Sequence, residues 1–227
     1  MNQNLQTLPM IYASDVSINR VLRNTYMLLS MTLLFSAAMA VYSMSIHFQP
    51  SGFASLILFI GGWFGLLFLT QALRNSVWGV VSCFAFTGLA GFMLGPILNM
   101  YTTQYSNGGQ LVMTALGSTG LIFLALSAYV ITTRKDFSFM GGFLAMAACA
   151  AFLCSLAGLF FNIPVFQVAI SGAFALISAG YMLFTTSLII QGGERNYIMA
   201  TVSLFVSLFN LFISLLQILS FFAGRRD

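Results

Sequence analysis

The sequence predicts an all-α membrane protein, a seven-transmembrane-helix bundle with the last helix central. Three observations predict it: charge is scarce, the few charges are widely spaced, and the final apolar stretch carries a polar seam. The 227 residues include eight Lys or Arg and four Asp or Glu, only 5% charged, while 59% are hydrophobic and mean hydropathy is +0.97. A soluble domain carries charge on roughly a quarter of its residues to keep its surface wet. This composition excludes a soluble globular domain, a disordered chain and a nucleic-acid binder. The net charge of +4 comes from scattered cations, so no basic patch exists to grip phosphates. Membrane lipid and other membrane proteins are the partners such a chain meets.

The spans follow from the gaps between charges. Between Arg23 and Arg74 lie 50 uncharged residues, between Arg74 and Arg134 59, between Asp136 and Glu194 57, and between Arg195 and Arg225 29. A membrane-crossing helix takes about 20 apolar residues, so the first three gaps hold two spans each and the last holds one. His47, Gln49, Pro50, Ser51 and Gly52 separate a first span, Thr25–Ile46, from a second, Phe53–Leu73. The segment Thr102–Gln110, with Asn107-Gly108-Gly109, separates Val77–Tyr101 from Leu111–Thr132. Asn162, Ile163 and Pro164 break Phe139–Phe161 from Val165–Ile190, and the seventh span is Tyr197–Phe222. Residues 1–19 read as a flexible cytoplasmic tail and residues 20–227 as a single transmembrane domain. Ala38-Met39-Ala40 resembles a signal-peptidase site, but the apolar run continues past it to Ile46, so a retained anchor is expected.

Orientation follows from the cations. Arg20 and Arg23 precede span one, and Arg74, Arg134, Lys135 and Arg195 fall in the even loops; the odd loops carry no Lys or Arg. By the positive-inside bias the N-terminus and even loops are cytoplasmic. Seven spans then place the C-terminus outside, against the bias of Arg225 and Arg226. The alternative is a final segment that turns back as a re-entrant hairpin.

No ionisable residue lies deep in a span. The lone histidine, His47, sits at a span end, and the acids Asp15, Asp136, Glu194 and Asp227 lie in loops or tails. Nucleophilic catalysis with a buried histidine and metal-dependent chemistry therefore lack their parts, and no catalytic, cofactor-binding or metal residues are assigned. Cys83, Cys149 and Cys154 lie in apolar stretches without a CxxC and read as small buried hydrophobes. Gly61/Gly65 and Gly91/Gly95 form GxxxG pairs suited to close helix packing, and Pro96 is expected to kink span three.

The informative residues are polar and uncharged. Ser203, Ser207, Asn210, Ser214 and Gln217 recur in span seven at spacings of four, three, four and three, which puts them on one helix face. Ser171, Ala175, Ser178 and Thr185 echo this in span six. Both faces are expected to point into the bundle, either as hydrogen-bonding glue between helices, at roughly 0.6–2 kcal/mol per bond, or as the lining of a cavity or leak. Either way, span seven is expected at the centre.

Several segments, taken in order, carry a family resemblance. They are Val21-Leu22-Arg23-Asn24-Thr25-Tyr26, Phe84-Ala85-Phe86-Thr87-Gly88, Leu94-Gly95-Pro96-Ile97-Leu98-Asn99, Ser127-Ala128-Tyr129 with Thr132-Thr133-Arg134-Lys135-Asp136, and Gly192-Gly193-Glu194-Arg195-Asn196-Tyr197 with Ala200 through Asn210. Together they resemble the Bax-inhibitor (transmembrane Bax-inhibitor-motif) family, and within it the bacterial YccA-like branch. The resemblance implies an inner-membrane, non-enzymatic protein. It further implies binding to the membrane-anchored, ATP-dependent protease FtsH, which such proteins slow and which seizes them by a cytoplasmic N-terminal tail. A second family activity is a pH-gated calcium leak attributed to paired acids on spans six and seven. The matching positions here are Thr185 and Ser207, neutral hydroxyls that neither titrate between pH 5 and 8 nor offer the anionic oxygen a divalent cation prefers.

Overall fold

A computed structural model of the chain describes residues 7–50, 52–158 and 163–224. It is helical throughout the described residues, in the order α1 (Thr7–Ser45), α2 (Gly52–Ala72), α3 (Val77–Gln104), α4 (Gly108–Thr133), α5 (Met140–Gly158), α6 (Pro164–Ile190) and α7 (Tyr197–Ala223). Six of these are long and apolar enough to cross a membrane, and α2 contributes a shorter apolar stretch, Phe59–Ala72. The described boundaries of α2 to α7 fall within three residues of those expected. Local chemistry explains why. Ser76 caps α3 by accepting from the Trp78 amide, Pro164 occupies the first turn of α6 where its missing N–H costs nothing, and Gly192 takes the left-handed conformation after α6 (φ +74).

The start of α1 differs. The first apolar span is expected from Thr25, whereas the helix that carries it begins at Thr7. Asp15, Arg20 and Arg23 end the apolar run but do not end a helix. Pro9 lies in the first turn, where proline is tolerated. Residues 1–6 lie outside the described residues. Pro96, expected to kink α3, sits inside a helix that continues to Gln104.

Packing is unequal around the bundle. Gly88, Gly91 and Gly95 press α3 against α1: a Cβ at Gly91 would collide with the Ser36 backbone carbonyl, and one at Gly95 with Ser43. In lipid, where no hydrophobic drive separates helix from acyl chain, such close dispersion contact is what holds helices together. The other GxxxG pair does not act this way, since nothing lies within 4 Å of a Cβ built at Gly61 or Gly65. Helix α7 packs against α1, α2, α3, α4 and α6. Its Phe205 and Phe209 join Trp63 of α2 and Phe86 of α3 in an aromatic cluster, with Trp63–Phe86 centroids 5.0 Å apart and Trp63–Phe209 5.6 Å. Each such pair contributes about 0.5–1.5 kcal/mol beyond its area. Helix α5, by contrast, contacts only α6 among the described elements, and leaves a gap beside α7.

The end of the bundle that carries six of the eight cations is tied by hydrogen bonds. Asn196 accepts from the Ile198 and Met199 amides (3.0 and 3.1 Å) as the cap of α7, and its Nδ2 donates to the Arg74 carbonyl (2.8 Å) and Asn75 Oδ1 (3.1 Å). One side chain thus fixes the α2–α3 turn to the start of α7. Ser187 accepts from the Phe137 amide (2.8 Å) and donates to the Lys135 carbonyl (3.2 Å), while Gln191 donates to the Arg134 carbonyl (3.1 Å). The α4–α5 loop is thereby clamped onto the end of α6.

Candidate functional site

At the opposite end, the last turns of α3, α5 and α7 and the first turns of α6 line an open-sided cavity of about 840 Å³. It lies beside the gap left by α5, at the end whose loops carry no Lys or Arg and where Arg225 and Arg226 follow α7 in sequence. Its polar lining includes Gln104 of α3, Gln167 and Ser171 of α6, and Asn210, Ser214 and Gln217 of α7. Among the described residues no Asp, Glu, Lys, Arg or His lines it. The described lining donates and accepts neutral hydrogen bonds.

The seam on α7 divides. Ser207 and Ser214 are buried, whereas Ser203, Asn210 and Gln217 are exposed, at intervals of seven along one stripe. The uncovered stripe of the most apolar of the six candidate spans is therefore polar. Asn210, Ser214 and Gln217 line the cavity; Ser203 and Ser207 lie nearer the other end. Ser207 returns its proton to the Ser203 carbonyl within α7 (2.9 Å). Thr185 is buried, and among the described residues no hydrogen bond joins it to Ser207. The α6–α7 hydrogen bond that does form is Ser171–Gln217 at 2.6 Å, with Ser171 also 2.9 Å from the Gln167 carbonyl. The Ser171 hydroxyl is the donor in both contacts, its one proton shared between Gln217 Oε1 and the Gln167 carbonyl. The α6 echo of the seam is inward, with Ser171, Ser178 and Thr185 buried and Ala175 half-buried.

Sequence reasoning passed over Gln104 and Gln167. Each is a lone amide in the end turn of an apolar helix, and that isolation was the available signal. Cysteine placement also differs from expectation. Cys83 is buried, but Cys149 and Cys154 are exposed on α5, because the helix that carries them packs on one side only. A further group of oxygens (Thr25 Oγ1, Tyr26 Oη, Ser127 Oγ and Thr186 Oγ1) is buried without a protein partner toward the cation-bearing end. His47 lies exposed in the turn after α1 with φ +50. Among the described residues no three His, Cys, Asp or Glu side chains converge as metal ligands.

Fold and site define a helical, multi-pass membrane protein whose distinctive chemistry is uncharged hydrogen bonding. The chain belongs to the family described as inhibitor of apoptosis-promoting Bax1, whose model matches residues 18–224. That family is named for inhibition, not for a reaction. Among its relatives, an uncharacterised protein of Pseudomonas aeruginosa is 51% identical over 213 residues, covering 93% of this chain and 94% of the other. A protein of Escherichia coli K12 named Modulator of FtsH protease YccA is 50% identical over 208 residues, covering 92% and 93%. A protein of Escherichia coli O6:H1 at the same identity and coverage is named Inner membrane protein YccA.

Proposed function

We propose that this chain is an inner-membrane protein of seven full spans arranged around α7, which binds a membrane-anchored protease of the FtsH type and slows its attack on other membrane proteins. The observation that carries the reading is its 50% identity, across nearly the full length of both chains, to a protein named as a modulator of that protease. Two features fit a modulator. Helices α1, α4 and α5 expose large apolar side chains, among them Leu34, Leu121 and Met146, and the described cavity lining is uncharged. In this reading the N-terminus is cytoplasmic, the C-terminus extracytoplasmic, and the protease seizes the chain by its N-terminal tail.

A leak through the polar seam is the competing reading, favoured by the cavity. Against it, Leu204, Phe205 and Leu208 fill the core between Ser203 and Asn210, and the positions matching the family's acidic pair are the neutral Thr185 and Ser207. The binding reading is tested by affinity purification from mild detergent followed by mass spectrometry: the protease is expected with the intact chain, and its absence under conditions that retain other weak partners contradicts the reading. The handle is tested by half-life. Deleting residues 1–14 is expected to leave an inserted protein that the protease no longer degrades, and equal half-lives would refute it. Orientation is tested by reporters after Lys135 and after Phe222, expected to read cytoplasmic and extracytoplasmic; two cytoplasmic signals would restore the re-entrant hairpin.

A further inference from the structure

We propose that the 840 Å³ cavity between α3, α5, α6 and α7 is a binding site for a short, uncharged peptide segment in extended conformation. Its size falls within the range of roughly 300–1,000 Å³ typical of ligand sites. Its chemistry narrows the ligand. Among the described lining residues none is Asp, Glu, Lys, Arg or His, so a charged group that entered would exchange part of its hydration for uncharged partners. The ligand is therefore neutral.

The lining also asks for a ligand that both gives and takes hydrogen bonds. Gln104, Gln167, Asn210 and Gln217 are carboxamides, each donor and acceptor. Of these, only the Gln217 side chain has a protein partner among the described residues, Ser171 at 2.6 Å. Buried Ser214 adds a hydroxyl with no protein partner. Esters and ketones accept only, and would leave the amide N–H groups unmatched; the hydroxyls of a glyceride head also donate, but that head is too short to reach along the row of polar side chains. A peptide group returns a donor for an acceptor and an acceptor for a donor.

Spacing supports the same ligand. Asn210, Ser214 and Gln217 share one face of α7, and seven residues at about 1.5 Å each make the row about 10 Å long. An extended peptide advances about 3.3 Å per residue, so three residues span that row. Phe174 and Phe221 supply apolar walls for small side chains. The inference does not depend on the protease reading, because purified chain alone tests it.

The test uses the full chain in detergent, with Cys149→Ser and Cys154→Ser, and with Ser155→Cys as a reporter on the α5 wall; Cys83 is buried and silent. The rate of alkylation by a neutral maleimide is followed with three probes: N-acetyl-Ala-Ser-Ala-amide, the same tripeptide with free termini, and monoolein. The blocked tripeptide is expected to slow alkylation saturably, whereas the charged tripeptide and monoolein leave the rate unchanged. Asn210→Leu is expected to weaken the blocked tripeptide about tenfold, the value of about one hydrogen-bonding group. Gln167→Leu, on the exposed side of α6 and so without cost to folding, is expected to weaken it in the same direction. Equal slowing by the charged tripeptide, slowing by monoolein alone, no slowing by any probe at millimolar concentration, or unaltered binding in both variants would overturn the proposal.

Discussion

The two ends of the bundle use the same kinds of residue to opposite effect. At the cation-bearing end the side-chain amide of Asn196 makes four hydrogen bonds, and Ser187 and Gln191 tie a loop to α6. At the other end the side chains of Asn210, Gln104 and Gln167 have no protein partner among the described residues and border a cavity. A polar group that is paired within the fold contributes to stability. One left exposed without a partner contributes little to stability and is available to a ligand. The first end is therefore the clamp and the second the site.

The comparison breaks most readily at the tight α1–α3 contact. Gly91→Ala drives a methyl into the Ser36 carbonyl and is expected to cost about 1–3 kcal/mol or more. Gly65→Ala, with the same GxxxG spacing but open space around it, is expected to change stability by less than about 0.5 kcal/mol. Thermal unfolding of both variants in one detergent checks this, and equal losses would remove the distinction between packed and open regions.

The next effect compares two asparagines on one helix. Asn196→Ala loses the α7 cap and the link to the α2–α3 turn, at an expected cost of about 2 kcal/mol. Asn210→Leu, which frees no buried partner, is expected to stay within about 0.5 kcal/mol. A larger loss at Asn210 than at Asn196 would reverse the assignment of clamp and site.

The smallest effect sharpens the clamp. The Ser138 hydroxyl and amide bond to Asp136 in the α4–α5 loop, the amide at 2.8 Å, and hold its carboxyl below the ordinary carboxylate range. Because the folded pKa is the lower one, this contribution is fully present above the unfolded value of about 4 and is lost as pH falls through the folded value. Asp136→Asn is expected to show a slightly smaller drop in unfolding temperature between pH 5 and pH 3 than the natural chain. An unchanged drop would mean that Asp136 takes no part in the clamp.

Much of this was legible before the structure. Charge gaps and breakers such as Pro50-Ser51-Gly52, Asn107-Gly108-Gly109 and Ile163-Pro164 placed α2 to α7 closely, because apolar length and turn chemistry are local properties. The start of α1 was not legible: Asp15, Arg20 and Arg23 mark where lipid ends, and a helix can continue through them into water. The seam exposed Asn210, Ser214 and Gln217 as a set, but periodicity alone could not divide it into buried and uncovered residues. That division depends on α5 standing away from α7, a tertiary fact with no local signature. For the same reason the two GxxxG pairs looked alike in sequence and behave differently in the fold.

The measurement that bears most directly on the central claim is the rate at which the protease degrades a membrane-anchored substrate when both are reconstituted in liposomes with and without this chain. Degradation is expected to slow in proportion to the amount of chain inserted, and to recover when the chain is omitted. An unchanged rate, with the chain shown to be inserted and folded in the same vesicles, would contradict the account.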